Sequence, residues 1–149
     1  MGLFFNSKTI VNGNATGKAM TSNIPLSFWG GVDVNTGDVQ DVHHNLYGQN
    51  ISGNILCIPY DRGSCSSSGI MLEMIRRGVA PAAIICLDAE PVLTLGSIMG
   101  RKLYNSGVAI HTVSEDVFKE LRHGDWIIVN DGGGIEVRNE SQILLAARR

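Results

Sequence analysis

The spacing of apolar residues changes about a third of the way along this chain. Before residue 54, apolar and polar residues alternate weakly and glycines interrupt them, a pattern typical of short strands joined by tight turns. After residue 54, continuous apolar runs alternate with stretches in which apolar residues recur every three or four positions. The pattern therefore predicts a β-rich first third, followed by strands and helices in alternation.

Three continuous apolar runs have the length and composition of buried strands: residues 54–58, 81–87 and 108–113. Helical spacing follows the first two runs and predicts helices over residues 70–75 and 92–104. Gly78 is placed to end the first helix, and Pro91 to begin the second. Two glycines within the second helix predict close packing against a neighbouring element.

Shorter segments complete the predicted order. Residues 114–121 predict a short capped helix, and residues 125–129 and 135–137 flank a glycine-rich turn and predict a hairpin. Nearer the N-terminus, residues 38–42 predict a short strand. This order favours a three-layer β/β/α domain, in which helices cover one face of a mixed sheet and a second sheet covers the other.

Length and composition agree with one such α/β domain. The chain has 149 residues, of which 44% are hydrophobic, enough for a sizeable core. We expect a single domain over residues 1–149, with its core from about residue 8 to residue 137 and a C-terminal tail over residues 138–149. Charged residues make up 17% and the net charge is −2, with no basic stripe, so no nucleic-acid partner is expected.

The sequence also bears on localisation and metal binding. No apolar run approaches the length of a membrane span and the N-terminus shows no secretory signal, so we expect a cytoplasmic protein with no membrane partner. The three cysteines suit a reducing compartment, and Cys57 and Cys86, which stand inside predicted strands, are interpreted as core residues. Because the cysteines are widely spaced, this chain alone is expected to bind no metal.

The segment with the most chemistry, residues 59–69, joins a predicted strand to a predicted helix and holds an arginine, a thiol and four serines. Orphan N–H groups and the dipole at a helix start attract an anion, so we expect a cradle for a small acidic molecule. The residue types leave alternatives open. Ser64 either caps the helix or takes part in chemistry, and Arg62 either binds a carboxylate or makes a surface ion pair.

Two further places are predicted to border a cleft. Gly30, Gly31 and Asp33 lie in a predicted turn that either approaches a partner or substrate or is only a tight bend. His43 and His44 are neighbours on a predicted strand, so their side chains point to opposite faces and at most one faces the cleft, with His44 as the candidate. No role is predicted for the histidine at position 111.

Five segments together resemble the small swivel domain of the aconitase X family: residues 25–33, 36–37, 48–53, 62–64 and 78–84. The matching segments run from about residue 13 to residue 137. The resemblance implies a swivelling β/β/α fold and a dehydratase, an enzyme that removes water from a small hydroxy acid.

The resemblance further implies roles for residues and a partner. Ser64 matches the proton acceptor proposed for the family, and Arg62, Gly63, Cys65 and Ser66 are expected to bind the substrate. The family divides into a large catalytic part, expected to carry an iron or iron–sulfur centre, and the small part. As a separate chain, this protein is expected to pair with a large subunit of aconitase X type.

Two substrates are associated with the family, cis-3-hydroxy-L-proline in bacterial members and mevalonate 5-phosphate in archaeal ones. Five segments look more like the bacterial branch: residues 28–29, 41–44, 62–65, 72–73 and 93–96. Asn45 stands where the resemblance leads us to expect proline, and Cys65 where serine or threonine is also common. We expect a cis-3-hydroxy-L-proline dehydratase small subunit, with the mevalonate 5-phosphate enzyme as one alternative. The other alternative is a non-catalytic anion-binding or scaffold module.

Overall fold

The computed structural model describes residues 2–62 and 66–139. Eight strands lie in these ranges: β1 (Leu3–Asn6), β2 (Lys8–Val11), β3 (Ala15–Thr21), β4 (Ile55–Cys57), β5 (Ala83–Cys86), β6 (Ala109–Thr112), β7 (Trp126–Val129) and β8 (Gly134–Arg138). Four helices accompany them: α1 (Phe28–Gly31), α2 (Ser67–Arg77), α3 (Pro91–Tyr104) and α4 (Glu115–Glu120). The three predicted buried strands, the helices that alternate with them and the closing hairpin are confirmed.

β3 joins the two halves of one mixed sheet, whose strand order is β1-β8-β7-β3-β4-β5-β6-β2. Its residues 15–18 pair antiparallel with β7, and its residues 19–21 pair parallel with β4. β4, β5 and β6 run parallel, and β2 borders β6 as an antiparallel strand. β1, β8 and β7 form the antiparallel half together with β3.

Ser7 connects β1 and β2, the two strands at opposite ends of the strand order. It stands between β1 and β2, and its N–H and Oγ–H donate to Gly133 O at 2.8 and 2.7 Å. The sheet therefore almost closes on itself as a near-barrel, which protects both edges. His111 of β6 is fully buried at this corner and contacts Ser7 Oγ, a structural position that was not predicted from the sequence.

Alternate residues of the central strands fill two separate cores. Leu56 of β4 packs with residues of α2 and α3, whereas Ile55 and Cys57 pack with residues of β7 and β8. β5 and β6 alternate in the same way. The helices α2 and α3, the parallel half and the antiparallel half are therefore the three predicted layers, whereas α4 packs against the core that contains β7 and β8. Burial on both faces explains the unbroken apolar runs.

Two glycines allow α2 and α3 to pack closely, as predicted. A Cβ at Gly96 would lie 2.7 Å from Ser68 O, and a Cβ at Gly100 would lie 2.7 Å from Ile75 Cδ1. Larger residues at either position would hold the helices apart. Gly78 ends α2 in the left-handed conformation, with φ of 72°, where glycine is favoured.

The first third of the chain departs from the prediction. Residues 38–42 form no strand; two of them make isolated bridges to Val32 and Asn50, and a turn follows. Asp41 Oδ1 accepts the His43 N–H (2.9 Å), a local bond that bends the chain. The histidine pair therefore lies in a turn and not on a strand. β1, which the pattern does not predict, pairs with β8 near the other end of the described chain.

Two remaining expectations concern membranes and the tail. No helix within residues 2–62 and 66–139 is both long and apolar enough to cross a membrane. The predicted tail, residues 138–149, lies outside the described residues from position 140 onward.

Candidate active site

The candidate site lies at the carboxyl edge of the parallel strands β3 and β4. Beyond β4, the chain runs beside the segment that leaves β3: Asp61 forms a parallel bridge with Leu26, and the Arg62 N–H donates to Leu26 O (3.1 Å). Ligands of open α/β sheets bind at this edge, because loops and helix N-termini meet there. The serine-rich loop found in the sequence therefore occupies a place that the fold favours for a ligand.

α2 begins directly after this loop. Ser66 takes the N-cap position, although its side chain makes no capping hydrogen bond to the described first turn. Ser67 is fully buried, and its Oγ has no hydrogen-bond partner within the described ranges. The positive end of α2 thus points toward the loop. Residues 63–65, which include the predicted proton acceptor Ser64 with Gly63 and Cys65, lie outside the described residues, so their roles stay predictions.

An open cavity of about 420 Å³ lies beside the loop. Three residues predicted for the site line it: Arg62, Gly30 and Gly31. Five more complete the lining: Ser27, Trp29, Gln40, Asp41 and Val42. The cavity thus combines one guanidinium, one carboxylate, hydroxyl and amide groups, and an aromatic ring, which suits a small polar molecule.

Arg62 supplies the positive charge of this cavity. Its Nη2 lies 3.8 Å from Asp41 Oδ2, and the two side chains are 61% and 22% exposed. At that distance and exposure the ion pair is weak. The surface ion pair that we considered for Arg62 is therefore present, while the exposed guanidinium can still bind a carboxylate through two parallel N–H groups.

One wall of the cavity consists of residues 27–31, here called the wall segment. Gln40 holds it from outside: its Nε2–H donates to Gly30 O (3.2 Å) and its N–H donates to Gly31 O (2.9 Å). Gly30 has φ of 84°, a conformation that other residues rarely adopt. Trp29, in the middle of the segment, is 58% exposed at the cavity.

Asp33 and His44, also predicted to border the cleft, do not line this cavity. Asp33 Oδ1 accepts the Asn35 N–H (2.8 Å) within a turn. His44 is buried, and its Nδ1 accepts the Leu46 N–H (3.1 Å). Its proton therefore resides on Nε2, which donates to Ile24 O (2.9 Å). Both ring nitrogens of His44 bond to backbone groups, so this histidine joins two loop segments.

A buried carboxylate beside the site was not predicted from the sequence. Asp61 is 5% exposed, and its Oδ1 accepts the Phe28 N–H (3.2 Å). One signal was available, because Asp61 follows directly on an apolar strand at the start of the serine loop. No local signal could place Gln40 and Asp41 in the lining, because they reach the cavity from a separate turn.

The described residues contain no group of three His, Cys, Asp or Glu side chains that could hold a metal ion. Cys57 and Cys86 are free and buried in the cores, which confirms the interpretation from sequence. Burial raises the pKa of Cys86 to about 12 and also raises the pKa of Cys57, so both thiols stay protonated. The described part of the chain therefore does not fit the ligand set of an iron centre.

Comparison with known proteins agrees with the fold. The family model described as aconitase X swivel domain matches residues 4–137. Cis-3-hydroxy-L-proline dehydratase of Pseudomonas aeruginosa is 38% identical over 141 residues, which cover 95% of this chain and 24% of that protein. The phosphomevalonate dehydratase small subunit of Methanopyrus kandleri is 38% identical over 120 residues, which cover 80% of this chain and 85% of that protein.

A solved structure shows the same architecture. The crystal structure of Thermococcus kodakaraensis aconitase X in its holo-form has a TM-score of 0.82 and 32% identity, covering 91% of this chain and 98% of that chain. The chain spans about a quarter of the length of the cis-3-hydroxy-L-proline dehydratases that it matches. The predicted swivel fold is confirmed, and this chain belongs to the aconitase X swivel-domain family.

Proposed function

We propose that this chain is the small subunit of a hydro-lyase that removes water from cis-3-hydroxy-L-proline, with Ser64 as the proton acceptor. The observation that carries the proposal is the 38% identity to the Pseudomonas aeruginosa dehydratase over 95% of this chain. The position of the serine loop supports it, since the loop runs from the carboxyl edge of β4 to the N-terminus of α2 beside a polar cavity.

The proposed reaction removes the proton next to the substrate carboxylate. Ser64, as an alkoxide, forms the new O–H bond; the electron pair of the broken C–H bond becomes the second bond of a C=C, and the C–O bond breaks as hydroxide leaves. A serine hydroxyl is a poor base in water, so its alkoxide needs stabilisation in a dry site. The positive end of α2 and the Arg62 guanidinium can provide that stabilisation.

Four residues are proposed to hold the substrate: Arg62, Gly63, Cys65 and Ser66. The geometry of Arg62 supports its part, because its guanidinium is mostly exposed at the cavity and only weakly paired. It would bind the substrate carboxylate, while backbone N–H groups at the start of α2 would accept the remaining negative charge.

A large subunit of aconitase X type is the proposed partner. The Methanopyrus kandleri relative, of which the match covers 85%, is a small subunit by name. About three quarters of each matched cis-3-hydroxy-L-proline dehydratase lies outside the match. Trp29 and Arg62 are each more than half exposed at the cavity, so a second polypeptide could complete the pocket. We assign the iron or iron–sulfur centre to that subunit and the complex to the cytoplasm.

Mevalonate 5-phosphate is the second candidate substrate. The observation in its favour is that the match to the Methanopyrus kandleri protein covers most of both chains. An anion cradle at a helix start would suit a phosphate as well as a carboxylate.

The experiment is co-expression with the large subunit, followed by assay of both substrates side by side. Loss of water from cis-3-hydroxy-L-proline, detected by mass spectrometry, is the expected result. Turnover of mevalonate 5-phosphate alone would support the second candidate. An intact complex that dehydrates neither compound would contradict the hydro-lyase proposal and favour a non-catalytic anion-binding or scaffold module.

A further inference from the structure

We propose that Asp61 is a positioning residue of the site: its buried carboxylate fixes the wall segment, residues 27–31, relative to Arg62. The proposal deepens the proposed function and rests on it, since the wall segment lines the same cavity as Arg62, which is proposed to bind the substrate. Asp61 itself is not proposed to touch the reacting atoms.

The Asp61 carboxylate is buried directly beside the site. Asp61 stands next to Arg62 in the chain but is only 5% exposed, whereas the Arg62 side chain is 61% exposed. The backbone of Asp61 bridges Leu26, and its Oδ1 accepts the Phe28 N–H at 3.2 Å. Asp61 thus connects by backbone and side chain to the residues on either side of Ser27, where the wall segment begins.

The wall segment contains a buried N–H group, that of Phe28, which needs an acceptor from another part of the chain. Phe28 is fully buried, so its N–H cannot be satisfied by solvent. The residue before it, Ser27, donates its Oγ–H to Trp29 O (2.8 Å) and makes no capping bond to α1. Asp61, 33 positions after Phe28 in the chain, therefore supplies the acceptor that an N-cap side chain would otherwise provide.

The backbone of the wall segment is not fixed by regular helical hydrogen bonds of its own. Trp29 has φ of −80° and ψ of 112°, and Gly30 has φ of 84°, so α1 is not a continuous helical turn. Its path is set by contacts at two ends, from Asp61 at Phe28 and from Gln40 at the two glycines. Without the first contact, the Trp29 side of the cavity could shift relative to Arg62.

The chain offers a graded pair of variants and a matched control. Asp61→Ala removes the acceptor, whereas Asp61→Asn keeps a carbonyl oxygen at the same place. Asp125→Ala is the control, because Asp125 Oδ2 also accepts a backbone N–H, from Arg122 (3.3 Å), in the turn before β7. All three variants are made in the full chain and assayed in the complex with the large subunit.

In the complex, Asp61→Ala is expected to lower kcat by a factor of about 10 to 100, the loss expected when reacting groups are misplaced by about 1 Å. KM should change much less than kcat, and Asp61→Asn and Asp125→Ala should stay close to the unsubstituted complex. Unchanged kcat in Asp61→Ala would overturn the proposal. Equal losses in Asp61→Ala and Asp61→Asn would also overturn it, because the charge and not the acceptor would then be required.

A second measurement separates this inference from the proposed function. In the isotopically labelled full chain, Asp61→Ala should shift the NMR amide signals of Phe28, Trp29 and Gly30, whereas Asp125→Ala should leave them in place. If the complex dehydrates neither substrate but these signals move, the positioning role stands and the proposed reaction fails. Signals that stay in place in Asp61→Ala would overturn the positioning role whatever the enzyme's activity.

Discussion

His111 donates its Nδ1–H to Ser7 Oγ across 2.9 Å, because the single hydroxyl proton of Ser7 is already donated to Gly133 O at 2.7 Å. Nδ1 therefore carries a proton, and a second proton on Nε2 would make the ring cationic. That nitrogen is buried and has no hydrogen-bond partner in the described part of the chain. The corner where the near-barrel closes thus contains a histidine whose surroundings disfavour the protonated ring.

This geometry predicts a stability that depends on pH. Burial lowers the pKa of His111 below its ordinary value of 6.5, while the charge of Asp131 acts in the opposite direction. Below about pH 6.5 the unfolded chain binds a proton that the folded chain accepts only at lower pH. The contribution of His111 to the free energy of unfolding should therefore be constant above pH 6.5. It should decrease as the pH falls from 6.5 toward the pKa of the folded state.

Urea unfolding at a series of pH values between about 5 and 8 would measure this effect. His111→Asn keeps a donor near the position of Nδ1 but removes the titrating ring, so it should flatten the dependence. His43→Asn, at an exposed position, is the control and should keep the slope of the unsubstituted chain. An equal slope in His111→Asn would show that other groups cause the dependence.

Ser64→Ala is expected to abolish dehydration. If Ser64 accepts the proton, its loss should reduce kcat at least about 100-fold, the usual contribution of a positioned base. Thermal unfolding and co-purification with the large subunit should not change. Ser52→Ala, outside the cavity, is the control for activity, and more than a tenth of the original kcat in Ser64→Ala would rule out the proposed role.

Arg62→Lys should weaken substrate binding more than it affects folding. Lysine keeps the charge but cannot form two parallel hydrogen bonds to a carboxylate, so KM should rise about tenfold. Because the ion pair with Asp41 is loose and exposed, the melting temperature should barely change. Asp41→Asn tests the alternative that Arg62 serves only that ion pair. In that case Asp41→Asn and Arg62→Lys should both leave KM unchanged.

Two helical glycines should respond oppositely to alanine. At Gly96, a Cβ would lie 2.7 Å from Ser68 O and 2.9 Å from Met71 Cβ, so Gly96→Ala should separate α2 from α3 and lower the free energy of unfolding by about 1–3 kcal/mol. At Gly69, a Cβ would meet none of the described residues within 4 Å, so Gly69→Ala should raise the free energy of unfolding by about 0.5–1 kcal/mol. Denaturant unfolding of both variants checks the contrast, and equal effects would contradict the close-packing argument.

The sequence by itself determined the elements whose signals are local. Apolar runs identified β4, β5 and β6, because strands buried on both faces are apolar at every position. Pro91 and Gly78 marked helix ends through their backbone preferences. The glycines of α3 predicted a close helix contact, which the structure confirms. The anion cradle inferred for residues 59–69 from their position between a strand and a helix stays a prediction.

Only the tertiary structure decided which distant segments meet. β1 pairs with β8, and β3 pairs with β7 as well as β4, because those pairings bury residues far apart in the chain, which no local period records. Burial of His111 and of Asp61 follows from the same long-range contacts. The cavity likewise joins Arg62 to Asp41 and the wall segment from separate turns, so its charge pattern exists only once the layers have packed.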